Sequence, residues 1–259
     1  MDIQIIFESI LNNWAVILLF FIVAILYATI GFGGGSSYLA ILAFTGIVFT
    51  QIRATALLCN IVVVSSNVFF FSQQKQINWR KIFPLVLCSV PFAFLGGYVK
   101  INQQFFFILL GSTLLFAASS MWLLKQIILS KNEHAPSRPL KNIGLGGVIG
   151  FISGMVGIGG GIFLAPLLHL TNWDSPKKIA ATASVFILVN SLAGVFGQYA
   201  NPDFYLDGNL TAILLVTVFI GGQIGGRIRN TYYTPVQLKR ATALLIAFVA
   251  LRILWKYLF

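Results

Sequence analysis

Two segments carry the residues whose types and spacing invite chemistry. They are Gly31-Phe32-Gly33-Gly34-Gly35, followed by Ser36 and Ser37, and Gly157-Ile158-Gly159-Gly160-Gly161, followed by Ile162. Glycine permits positive φ and close approach of the backbone to another group. Where such a run interrupts a helix, the restarting helix offers free N–H donors and the positive end of its dipole, which suits an anion. The run Gly-Phe-Gly-Gly-Gly lacks the Gly-Lys-Ser/Thr ending of a phosphate-binding P-loop. The other use of such glycines is to let helices pack closely.

Neutral hydrogen-bonding side chains follow each run: Ser36, Ser37, Thr55, Asn60 and Asn67 after the first, and Thr182, Ser184, Asn190, Ser191 and Gln198 after the second. The candidate substrate-binding set is therefore Gly31, Phe32, Gly33, Gly34, Gly35, Ser36, Thr55 and Asn60, with Gly157, Ile158, Gly159, Gly160, Gly161, Thr182, Ser184 and Asn190. Any of the polar members can equally tie one helix to the next.

The acids Asp2, Glu8, Glu133, Asp174, Asp203 and Asp207 all fall in expected termini or loops. Carboxylates inside a membrane are the usual proton relays and cation ligands, so their placement favours an anion held by backbone and neutral groups. His169 is a candidate titrating group near the end of a half-helix or a plain interfacial residue, and His134 lies in the central loop. Arg53 and Lys178 precede the helices of Thr55 and Thr182, where they either steer anions inward or snorkel to the interface. Cys59 and Cys88 form no metal or disulfide pattern. No nucleophile comes with a base, so no enzyme activity, cofactor or metal is expected.

The elements that must position these residues follow from composition. The chain is 58% hydrophobic and only 9% charged, with a mean hydropathy of +0.90, which leaves too little polar surface for a water-soluble fold. Charges fall between long uncharged stretches, at residues 9–52, 54–74, 82–99, 101–124, 142–173, 179–202 and 208–226. A spanning helix needs roughly 20 apolar residues. Nothing basic precedes Arg53, so the first segment reads as retained and not as a cleaved signal. The net charge of +11 fits basic loops beside membrane helices better than nucleic acid.

The stretch 9–52 is about twice as long as one membrane crossing requires, and its glycines lie at its centre, so it reads as a helical hairpin or broken helix pair. The chain also matches itself. Gly31 to Gly35 aligns with Gly157 to Gly161, Ala54-Thr55-Ala56 with Ala181-Thr182-Ala183, and Gly96-Gly97 with Gly225-Gly226. The Pro- and charge-bearing stretch 130–141 separates the copies, giving repeats at residues 1–139 and 140–259.

Basic residues mark cytoplasmic loops. That places Lys75, Arg80, Lys81, Lys131, Arg138, Lys141, Lys177, Lys178, Arg227, Arg229, Lys239 and Arg240 inside, and residues 201–208 outside. Arg53 and Lys100 then fall outside, against the rule. Agreement needs an odd number of segments per half. The expected fold is an all-α polytopic transmembrane bundle of two inverted repeats, each a Gly-broken helix pair followed by three transmembrane helices.

At these residues the chain resembles the sulfite exporter TauE/SafE family over essentially its whole length. Gly154-Met155-Val156-Gly157-Ile158-Gly159-Gly160-Gly161-Ile162-Phe163-Leu164-Ala165-Pro166-Leu167 is similar to that family's duplicated glycine motif, while the first copy has Ala40 where the second has Pro166. The family often has Gly-Thr-Ser where this chain has Ala54-Thr55-Ala56 and Ala181-Thr182-Ala183, which leaves the threonines as the matched positions. The resemblance implies a multi-pass protein of the bacterial cytoplasmic membrane that transports or exports small sulfur-containing anions such as sulfite, sulfoacetate or related sulfonates. A passive anion channel and a non-transporting membrane interaction protein are the alternatives. The expected partners are the lipid bilayer and a small anionic substrate; homo-oligomer formation stays open.

Overall fold

The computed structural model describes residues 3–127, 139–171, 173–228 and 235–258. The described residues form helices joined by short turns, with no strand among them. In chain order these are α1 (Ile3–Ile30), α2 (Gly35–Leu42), α3 (Phe49–Gln73), α4 (Trp79–Tyr98), α5 (Gln103–Ile127), α6 (Pro139–Val156), α7 (Gly161–Leu170), α8 (Pro176–Tyr199), α9 (Gly208–Ile228) and α10 (Pro235–Leu258). Among the described residues, six segments are long and apolar enough to cross a membrane: Glu8–Ile30, Phe49–Gln73, Trp79–Tyr98, Gln103–Ser120, Pro176–Tyr199 and Gly208–Ile228. Large apolar side chains such as Trp14, Phe83, Val216 and Phe248 point outward, as a surface in contact with hydrocarbon requires. The chain is an all-α multi-pass membrane protein.

The helices come in two runs of the same order, and their packing partners match. α4 lies on α6 as α9 lies on α1, α4 on α8 as α9 on α3, and α5 on α7 as α10 on α2; α3 pairs with α8, and α5 with α10. The largest of these contacts are made by glycine faces. A Cβ on Gly146, Gly150 or Gly154 of α6 would collide with the carbonyls of Leu85, Ser89 and Ala93 of α4, and one on Gly225 of α9 with the carbonyl of Ile25 of α1. Without apolar solvation to drive association, such close approach of backbones supplies the dispersion contacts that hold membrane helices together.

The ends of the bundle are set by charge. At one end Lys81 donates to Asp174 at 2.9 Å, with Lys178 at 3.7 Å from the other carboxylate oxygen. At the other, Lys100 meets Asp203 at 3.1 Å and Asn201 donates to the carbonyl of Tyr98 at 2.8 Å. Arg53 departs from expectation. It neither snorkels nor sits in an exposed loop, but lies inside α3, 3% exposed, because carbonyls at the end of α4 and in α6 accept its protons. Most of the expected connecting loop at 130–141, with Lys131, Glu133, His134 and Arg138, lies outside the described residues, as does Arg229.

Candidate functional site

Both glycine runs break their helices in the same way. α1 ends with the N–H groups of Gly31 and Phe32 donating to the carbonyl of Tyr27 at 3.0 and 2.9 Å; α6 ends with Gly157 and Ile158 donating to that of Ser153 at 2.8 and 3.2 Å. This C-terminal motif needs a left-handed residue, which Gly31 (φ 91°) and Gly157 (φ 89°) supply. The chain then restarts. Gly34 (φ 87°) and Gly160 (φ 81°) cap α2 and α7, and neither cap has a side-chain acceptor. The N–H groups of Gly35 and Ser36, and of Gly161 and Ile162, therefore lie outside the helical ladder and face the break with the positive dipole ends.

Asn60 of α3 joins the two breaks. Its Nδ2 donates to the carbonyl of Ile158 at 2.9 Å, while its amide lies so close against Gly33 and Gly35 that a Cβ on either would strike it. A second tie runs the other way, from the Ser184 hydroxyl on α8 to the carbonyl of Gly31. Beside the breaks lies a cavity with about 40 Å³ of room for water, enough for a few waters or one small solute. From the first run of helices its lining takes Tyr27, Gly33, Gly34, Gly35, Ser36 and Asn60, with Ile30 and Phe32. From the second run it takes Ile158, Ile162, Ala165, Pro166 and Ile187, all apolar, and His169. The hydroxyl of Tyr27 lies 3.3 Å from that of Ser36 and 3.0 Å from that of Ser37. The cavity wall contains no carboxylate, lysine or arginine.

The candidate residues thus divide. Phe32, Gly33, Gly34, Gly35, Ser36, Asn60 and Ile158 line the cavity. Gly31, Gly157, Gly159, Gly160 and Gly161 shape the breaks behind it. A Cβ on Gly159 or Gly160 would crowd the hydroxyl of Ser191 or Ser153; both hydroxyls are buried without a partner, as is Oδ1 of Asn60. The polar helix residues lie further off. The Thr55 hydroxyl meets that of Thr211 at 3.2 Å, Thr182 donates to the carbonyl of Lys178 at 2.8 Å, and Asn190 to that of Phe186 at 2.8 Å. Sequence reasoning passed over Tyr27, although it stands one helical turn before Gly31 and so faces the same break. It took Ile162 only for its backbone at the helix restart and gave no site role to Pro166 and Ile187, whose apolar side chains look like core. His169, weighed between a titrating and an interfacial role, stands on the cavity wall. Among the described residues no His, Cys, Asp and Glu cluster is arranged to hold a metal.

The family described as Sulfite exporter TauE/SafE matches residues 16–253. Among curated relatives, the probable membrane transporter protein y4hK of Sinorhizobium fredii is 33% identical, the alignment covering 91% of this chain and 96% of that one. A probable membrane transporter protein of Methanocaldococcus jannaschii is 26% identical over 92% of this chain and 94% of its own. YunE of Bacillus subtilis, with the same description, is 24% identical over 84% and 89%. No solved structure matches the chain.

Proposed function

The chain belongs to the sulfite exporter TauE/SafE family of membrane transporters, and from that premise we propose that it carries a small sulfur-containing anion, such as sulfite or a short sulfonate, across a bacterial cytoplasmic membrane. The observation that carries this reading is the cavity whose walls are formed at two matched helix breaks joined by Asn60. The free N–H groups of Gly35 and Ser36 and the dipole of α2 hold the negative end. Ser36 and Tyr27 supply hydroxyls. Ile162, Pro166 and Ile187 face a substituent on sulfur, which suits a sulfonate carrying a short apolar tail.

Breaks of this kind near the midplane, one from each of two inverted repeats, suit alternating access by movement of one half against the other. In this reading the halves are residues 1–139 and 140–259. The ion-paired end with Lys81, Asp174 and Lys178 faces the cytoplasm, and the end with Lys100 and Asp203 faces outward. The sequence contains no P-loop, and in this reading the energy comes from gradients or substrate flow.

The test is sulfite and sulfonate flux in proteoliposomes, with small carboxylates as competitors. Gly34→Leu and Gly160→Leu are each expected to abolish flux while the protein still inserts and elutes as wild type. Undiminished flux in both variants removes the breaks from the substrate path.

A further inference from the structure

Arg53 is a buried cation, and among the described residues no carboxylate pairs with it. Its Nη2 donates to the carbonyls of Gly96, Gly97 and Gly154 at 3.4, 3.3 and 3.3 Å. These are long bonds to neutral acceptors, and the Nε proton has no acceptor at all. Beside it Gln198 of α8, 4% exposed, buries an amide nitrogen that is likewise without a partner. Both residues line a small notch at the Lys100–Asp203 end of the bundle, completed by Thr50, Gly97, Asn201, Asp203 and Phe204, with about 10 Å³ of room, enough for a single water-sized atom. Thr50 belongs to the first turn of α3, whose N-terminus has no side-chain cap. Its first N–H groups and dipole add to the same positive field.

Buried charges are ordinarily paired, and buried donors bonded. Here two unsatisfied donors from different helices, a guanidinium and a helix N-terminus converge, and everything missing is an acceptor carrying negative charge. The single acid on the notch, Asp203, is turned to Lys100 at the surface. We propose that this notch is a second anion site, separate from the cavity at the glycine breaks, which takes a small oxyanion. One oxygen enters the notch and accepts from both Arg53 Nε and Gln198 Nε2, the rest of the anion stays at its mouth, and the anion's charge neutralises the guanidinium. An oxyanion fits better than a halide because one of its oxygens is water-sized and can enter the notch, where chloride or a larger halide is too wide. A substrate anion arriving from or leaving to this end of the bundle would pause there.

The experiment is sulfate-dependent thermal stabilisation of the purified full chain in detergent, sulfate being a non-titrating probe at neutral pH. Arg53→Gln removes the staple to α4 and α6 and risks misfolding, so the informative changes are at Gln198. Gln198→Leu is expected to weaken the sulfate response at least tenfold. Gln198→Glu, which tethers a carboxylate beside Arg53, is expected to raise the melting temperature without sulfate and to abolish the response. Asp203→Asn is expected to keep the response or strengthen it. The proposal is overturned if both Gln198 variants respond as wild type, or if Asp203→Asn destabilises the chain and ends the response, which would make Asp203 the counter-ion. It is also overturned if Asn60→Leu alone removes the response. That last outcome would move the anion to the central cavity and leave the transport reading intact.

Discussion

Asn60 on α3 donates to the carbonyl oxygen of Ile158 at 2.9 Å, so a side chain from the first run of helices holds the glycine break of the second. The residue at the matching position of α8 is Ile187, which has no amide. The two breaks are therefore alike in backbone and unlike in chemistry: the first run gives the cavity lining hydroxyls and an amide, the second only apolar side chains besides His169. Asn60→Leu leaves the Ile158 carbonyl buried without its donor, a cost of about 1–3 kcal/mol. A melting temperature lowered accordingly, together with lost flux, is the expected result; Asn60→Asp, which places negative charge against that carbonyl, is expected to be worse on both counts.

The caps Gly34 and Gly160 can be separated from glycine flexibility in general. All three of Gly34, Gly160 and Gly46 have positive φ, but a Cβ at Gly34 meets Tyr38 at 3.0 Å, one at Gly160 meets Phe186 at 2.8 Å, and one at Gly46 meets nothing. Left-handed backbone costs a non-glycine residue about 1–2 kcal/mol. Gly46→Ala is expected to show that cost alone and to keep full flux. Gly34→Ala and Gly160→Ala add overlap to it and are expected to lower flux as well, measured in the same liposomes.

Much of this arrangement was legible from residue order. The paired glycine runs announce breaks because the apolar stretch 9–52, about twice the membrane thickness, cannot be one helix, and the structure breaks it at Gly31 to Gly34, with the matching break at Gly157 to Gly160. The all-helical membrane fold follows from composition. What the sequence withheld depends on which helix faces which. Gly146, Gly150 and Gly154 repeat every fourth residue, but only the structure shows α4 lying in that face. Arg53 looked like a boundary charge because Arg and Lys usually reach for water; here three carbonyls of α4 and α6 reach it first. Thr55 and Thr182 are matched in sequence, yet one meets a neighbouring helix and the other its own backbone.

Asp174 offers a pH test at the opposite end from Arg53. Burial raises its pKa, but the hydrogen bond from Lys81, the N–H of Ser175 and the charges of Lys81 and Lys178 outweigh burial and leave it below the ordinary carboxylate value. A folded pKa below the unfolded one, about 3.9, gives stability that is complete above that value and is lost as pH falls through the folded one. Asp174→Asn is expected to cost about 1 kcal/mol near neutral pH, with the difference from wild type closing below about pH 4. Lys81→Ala is expected to cost more than Lys178→Ala, since Lys81 is the less exposed and bonds the carboxylate at 2.9 Å, also donating to the Trp173 carbonyl.

The hydroxyls of Thr55 and Thr211 stand 3.2 Å apart on α3 and α9, both buried. Neither lines the cavity. If this contact is a tie between helices, each hydroxyl has the other as its partner, and removing one strands the other at a cost of about 1 kcal/mol. Removing both leaves nothing stranded. Thr55→Val and Thr211→Val are therefore expected to destabilise singly by similar amounts, and the double variant by no more than either, a coupling that a double-mutant cycle in detergent reads directly. Flux is expected to survive in all three. A loss of flux in Thr55→Val without a matching loss in Thr211→Val would instead return Thr55 to the substrate path.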